Sequence, residues 1–148
     1  MTVDIRGLEQ GDRGQWEELF RGYIAFYEAE IPEAQYDRTF DALLSETAGT
    51  HEGLVAVDRA DGRLVGIAHI LFHRSTWSPS GYVYLEDLFV DPAHRGSGAG
   101  HKLIDAVYAR ADALGATRTY WATQNFNERA RRLYDDVATL SPFVQYRR

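Results

Sequence analysis

Cysteine is absent from the 148 residues. Without a thiol there is no disulfide framework, no thiolate zinc site and no cysteine nucleophile, so any group transfer by this chain proceeds without a cysteinyl intermediate. Apolar runs are short as well. None reaches the roughly 18 residues that a membrane-spanning helix needs, and the opening MTVDIRGLEQGD lacks the basic segment and apolar stretch of a secretory leader. A cytoplasmic protein with no membrane partner is the expectation. Basic charge is in the minority: sixteen Lys and Arg against twenty-two Asp and Glu leave a net charge of −6. That balance argues against a protein that coats nucleic-acid phosphates, while leaving room for a local anion site. A metal is not expected either, because His69 and His73, on one face of a strand, would stand about 13 Å apart. Internal repeats, linkers and low-complexity segments are also missing.

What is present fits a single domain, residues 1–148, with ordinary globular usage of 45% hydrophobic and 26% charged residues. After a short strand at Val3 to Ile5, Asp12 followed by Gln15 reads as a helix start. Trp16, Leu19, Phe20, Tyr23, Ile24 and Tyr27 then recur at helical spacing and predict one apolar face, with Pro32 closing the helix. A second helix is expected over Tyr36 to Ser45, with Phe40, Leu43 and Leu44 inward. Asp61-Gly62 suits a tight hairpin turn between two apolar strands, and GYVYLEDLFV is a third strand. A helix from Gly98 to Leu114, a strand at Arg118 to Ala122, a helix from Asn127 to Val137 and a last strand at Phe143 to Tyr146 complete the chain. The order is that of a mixed α/β protein.

The segment DLFVDPAHRGSGAGHKL, Asp87 to Leu103, carries the chemistry. A strand, a glycine-rich turn and a helix aim backbone N–H groups and the positive end of a helix dipole at an anion, and glycine lets that anion come close. Two familiar phosphate loops do not fit. A Rossmann GxGxxG beginning at Gly96 needs glycine at His101, and a P-loop needs Gly-Lys-Ser/Thr where Gly100 is followed by His101, Lys102 and Leu103. What remains is Arg95-Gly96-Ser97-Gly98-Ala99-Gly100, the pattern R-x-x-G-x-G. This segment resembles the pyrophosphate-binding turn of the GNAT superfamily of acetyl-CoA-dependent N-acetyltransferases. A second stretch, WATQNFNERARRLYDD, is similar to that family's closing strand and helix, N-x-x-A-x-x-L/F-Y, with Asn127, Ala130, Leu133 and Tyr134 in register. YLEDLFV and its distances to both motifs are similar to the spermidine/spermine N-acetyltransferase branch and related bacterial enzymes. The resemblance covers roughly Leu54 to Tyr146.

The resemblance implies the GNAT fold, a bent central mixed sheet flanked by helices, and acetyl-CoA as cosubstrate. It implies that the backbone of Gly96, Ser97, Gly98, Ala99, Gly100 and His101 holds the CoA pyrophosphate, with charge from Arg95, His94 or Lys102. It also implies that Leu88, Phe89 and Val90 pair with the pantetheine arm like an added strand, and that an N–H there polarises the acetyl carbonyl. Asn127 binds the pantetheine or orders the start of its helix. Glu86 is the candidate for relieving the attacking amine of its proton, with a structural salt bridge or a solvent-facing position as its other reading. Asp87 points the opposite way on a regular strand, unless a bulge exchanges the two. Tyr134 is the candidate acid for the departing thiolate, or else part of the core. The acids of the first two helices, with Tyr23, Phe26, Tyr27 and Tyr36, either line a pocket for a cationic amine or solvate a helix face. The expected acceptor is a small polyamine-like or amino-acid-like amine, or a protein lysine. A non-catalytic acyl-CoA sensing domain is the rival from another class. Edge strands near the C-terminus lead to the expectation of a homodimer.

Overall fold

Five strands make one mixed sheet in the order β1-β2-β3-β4-β5, which the computed structural model shows for residues 2–45 and 51–148. The strands are β1 (Val3–Gly7), β2 (His51–Asp58), β3 (Leu64–His73), β4 (Tyr82–Val90) and β5 (Arg118–Tyr120). The first four are antiparallel neighbours, and β5 runs parallel to β4. The β2–β3 connection turns at Asp61-Gly62, with Gly62 at φ 74°, the left-handed conformation that made glycine the expected residue.

Helices cover both faces. On one side α1 (Arg13–Phe26) and α2 (Glu33–Leu44) bury Trp16, Phe20, Phe40 and Leu43 against Val55, Leu64, Ile67 and Phe89. On the other, α3 (Ala99–Ala113) seats Leu103, Ile104, Val107 and Ala111 against Ala56, Val65, Ala68, Ile70, Val83 and Leu85. The apolar periodicity of each helix thus meets one face of the alternating strands. Truncating a fully buried side chain such as Trp16 in this layer carries a cost of about 3–5 kcal/mol. The last helix, α4 (Glu128–Val137), packs Leu133, Tyr134 and Val137 at the margin of the α3 layer.

Several local expectations need correction. Asp12 does not cap α1 through its side chain; it closes a preceding 3-10 turn, and its carboxylate takes Arg6 and the Glu9 N–H. Gln15 instead accepts the Leu64 N–H at the start of β3, at 2.9 Å. α1 stops at Phe26, well before Pro32, and Glu28 takes a positive φ of 54° in the link. Pro32 precedes α2 as its N-cap residue, and α2 starts at Glu33 rather than Tyr36. No strand forms at Phe143 to Tyr146. That segment finds no neighbour to pair with, and Phe143, Val144 and Tyr146 are 88%, 79% and 93% exposed.

Two irregularities in β4 shape the space at its C-terminal end. Its pairing with β3 slips between His69↔Asp87 and Ile70↔Leu85, leaving Glu86 as an extra, bulged residue. Its pairing with β5 ends at Tyr84↔Tyr120, so residues 85–90 run on without a parallel neighbour.

Candidate active site

Where β4 outruns β5, a cavity of about 510 Å³ opens between the strand, the glycine turn and α4. Leu88 to Val90, Arg95 to His101, Asn127 and Tyr134 all line it, together with His94, Arg129, Ala130 and Leu133. From α1 and the residue after it come Tyr23, Phe26 and Tyr27. The turn is shaped by two left-handed glycines, Gly96 at φ 82° and Gly98 at φ 83°. No atom lies within 4 Å of where a Cβ would stand on either, so their need is for backbone conformation and for open space above the turn. The Ser97 hydroxyl accepts the Ala99 N–H. Gly100 and His101 come next in the first turn of α3, where helix geometry supplies no acceptor for an N–H.

These features fit a pyrophosphate. The ring nitrogen Nδ1 of His94 is buried without a hydrogen bond, with the Asp91 carboxylate 3.7 Å away, and Arg95, His101 and Arg129 also line the cavity. Lys102 does not join them: its ammonium donates to the Val3 carbonyl at 3.2 Å. Gly100 has a packing reason as well, since a Cβ there would meet Leu133 of α4 at 3.2 Å. Asn127 caps α4, accepting the Ala130 N–H at 3.3 Å while lining the cavity.

Tyr134 stands edge-on to Trp121, ring centroids 5.4 Å apart, and burial pushes its phenol up to about 12. It therefore stays protonated across the neutral range and available as a donor. Tyr23, also lining the cavity, is pushed far above its ordinary value by burial and then by the neighbouring Asp87 carboxylate. Its hydroxyl donates a long bond of 3.4 Å to the Glu86 carbonyl.

Glu86 occupies the bulge with its side chain exposed and does not line the cavity. Its nearest sign in the electrostatics is Tyr84, whose phenol is raised by burial first and by Glu86 next. The bulge sends Asp87 to the α1 side of the sheet, where it meets His69. The acids of α1 and α2 are largely committed elsewhere. Glu17 and Asp37 bind Arg13, Glu17 and Glu33 bind Arg21, and the Arg21 guanidinium lies over the Tyr36 ring. Tyr36 itself is core. Sequence spacing gave no sign of the Trp16–His69 contact, because their 53-residue separation is closed only by packing of α1 on β3. Among the described residues no three His, Asp or Glu side chains gather as a metal-binding group.

The sheet parts beside the glycine turn, and the half-buried Tyr134 lines the gap. Residues 16–137 match the model of the acetyltransferase (GNAT) family, and the chain belongs to it: it is a GNAT N-acetyltransferase. Along its length it is similar to the D-amino-acid N-acetyltransferase HPA3 of Saccharomyces cerevisiae, with 35% identity over 146 residues, 99% of this chain and 90% of the yeast protein. It is 32% identical over 141 residues to the thialysine N-epsilon-acetyltransferase of Bos taurus, covering 89% of this chain and 81% of the bovine one. Among solved structures, the ribosomal-protein-alanine N-acetyltransferase of Brucella melitensis biovar Abortus 2308 superposes with TM-score 0.77 at 25% identity, covering 98% and 97% of the two chains. AAC(6')-Iy, in complex with the bisubstrate analog CoA-S-monomethyl-acetylneamine, shares the fold with TM-score 0.85 at 20% identity, over 100% of this chain and 98% of that one.

Proposed function

We propose that this enzyme transfers the acetyl group of acetyl-CoA directly to the primary amine of a small amino-acid-like molecule. The observation that carries the reading is the convergence of the glycine turn, the unpaired end of β4 and Tyr134 on one cavity. The relatives named for D-amino acids and thialysine favour an amino-acid acceptor over a polyamine or a protein lysine.

In this reading the N–H groups at the start of α3 hold the pyrophosphate, and residues Leu88 to Val90 pair with the pantetheine arm. A β4 N–H polarises the thioester carbonyl. The amine nitrogen attacks the carbonyl carbon, the carbon–sulfur bond breaks, and the proton that the nitrogen loses equals the one the thiolate gains. An amine with a lysine-like pKa near 10.4 must first shed a proton, and Glu86, exposed at the bulge beside the cavity, is proposed to accept it, directly or through water. Tyr134 donates a hydrogen bond to the departing sulfur. With its phenol at about 12 and an ordinary thiol near 8.5, full transfer from Tyr134 is uphill. Its role is to stabilise the developing charge while the amine's proton completes the exchange.

The homodimer belongs to the same proposal. Leu140, Phe143, Val144 and Tyr146 are exposed along a C-terminal tail, an apolar row suited to burial against a second copy.

The test is free-thiol release from acetyl-CoA against D- and L-amino acids, thialysine, polyamines, aminoglycosides and lysine peptides, with Glu86→Gln and Tyr134→Phe alongside. Turnover on amino acids that falls in both variants supports the reading. CoA binding with no turnover on any amine would replace it with a sensing role.

A further inference from the structure

Three side chains from three elements form a relay that reaches the cavity through Tyr23 and does not itself line it. The Trp16 indole N–H donates to Nε2 of His69 at 2.9 Å, and Nδ1 of His69 lies 2.8 Å from Oδ2 of Asp87. Trp16 is fully buried and His69 is 2% exposed. An indole nitrogen can only donate, so Nε2 must offer its lone pair and the imidazole proton sits on Nδ1. That proton points at Asp87, whose oxygen accepts it. With Nε2 accepting from the indole and Nδ1 donating to Asp87, the hydrogen-bond pattern is that of the neutral Nδ1–H tautomer.

A neutral partner orients a carboxylate without cancelling its charge. Among the described residues, Asp87 forms no contact with Lys or Arg, whereas Glu17, Glu33 and Asp37 nearby are each tied to an arginine. The Asp87 side chain is 16% exposed. A largely buried carboxylate without a counter-cation is costly unless a cation arrives. The groups facing it are His69 from β3 and the Tyr23 hydroxyl from α1, and Tyr23 lines the cavity.

We infer that Asp87 is the counter-charge that receives the acceptor's ammonium group, and that His69, locked by Trp16, is the positioning residue that aims it. The bulge at Glu86 is what makes this possible, since it turns Asp87 onto the α1 face alongside Phe89. The inference rests on the acetyl-transfer reading for the identity of the cation, and it assigns Asp87 a task separate from that of Glu86.

The test compares wild type with Asp87→Asn, His69→Asn and His69→Leu. In His69→Asn the side-chain amide can still donate from nearly the Nδ1 position; in His69→Leu nothing can. Asp87→Asn should raise the acceptor KM by about tenfold or more and leave the acetyl-CoA KM within about twofold, the loss expected for one charge-assisted contact. His69→Leu should move the acceptor KM the same way, with His69→Asn close to wild type. In the unmodified protein, nitrogen NMR should find His69 as the neutral Nδ1–H tautomer. Calorimetric titration of the same amines into the CoA complex gives a readout that needs no turnover. Amine binding that depends on Asp87 in an enzyme showing no thiol release would uphold this inference and sink the catalytic reading. An acceptor KM unchanged in Asp87→Asn, equal effects of both His69 variants that track only their melting temperatures, an imidazolium at His69, or no amine binding in wild type would each overturn it.

Discussion

Arg6 grips Asp12 with two guanidinium nitrogens, at 2.8 and 2.9 Å, and the same carboxylate takes the Glu9 N–H at 2.8 Å. One nearly buried side chain therefore ties β1 to the turn that launches α1. Asp12→Ala leaves the Glu9 amide without its acceptor and Arg6 with only the Gly7 carbonyl and the Glu9 carboxylate, and chemical denaturation at neutral pH should show a loss of about 2 kcal/mol. Arg6 holds the Asp12 carboxyl below its ordinary value. A lowered folded pKa contributes stability that is fully present above the unfolded value near 3.9 and is lost as pH falls through the folded one. The gap between wild type and Asp12→Ala should accordingly narrow below about pH 4, and a gap that widened there would contradict the assignment.

Tyr134→Phe removes the donor to sulfur but keeps the ring against Trp121. Turnover should fall by about a hundredfold, within the usual range for a proton donor, while CoA affinity stays near wild type. Because burial lifts the phenol to about 12, wild-type activity should show no descending alkaline limb from this group below about pH 11. A limb near pH 10 that vanished in Tyr134→Phe would show the phenol to be far less shielded.

Gly98 precedes α3 at φ 83° with empty space where a Cβ would be. Gly98→Ala should cost about 1 kcal/mol of stability for the left-handed backbone. Any Cβ there also enters the room proposed for the pyrophosphate, so CoA affinity measured by calorimetry should drop further than stability alone accounts for.

Phe143→Asp places a charge in the exposed tail without touching the cavity. Sedimentation should report a dimer for wild type and a monomer for the variant; two monomers would leave the tail without the proposed role.

The long motifs are legible in the sequence because they are local. Arg95 to Gly100 and Asn127 to Tyr134 are short-range patterns, and each sits in the element that its spacing predicts. Features settled by contacts between distant segments are not legible in this way. Gln15 looks like half of a capping pair because Leu64, the donor it serves, is 49 residues away. Alternation puts Asp87 opposite Glu86 unless a bulge exchanges the two, and only the pairing with β3 decides that the bulge is there. Phe143 to Tyr146 has the composition of a strand but no edge within its own chain to join.

The parting of β4 from β5 after Tyr84 and Tyr120 leaves an unfinished sheet edge inside the molecule. A donor whose arm pairs with that edge acts as a missing piece of tertiary structure as well as a reactant. Ligand at a hundredfold excess over its dissociation constant adds about 2.7 kcal/mol to folding stability by mass action. On this reading, the supply of CoA sets how long each copy of the enzyme survives proteolysis as well as how fast it works.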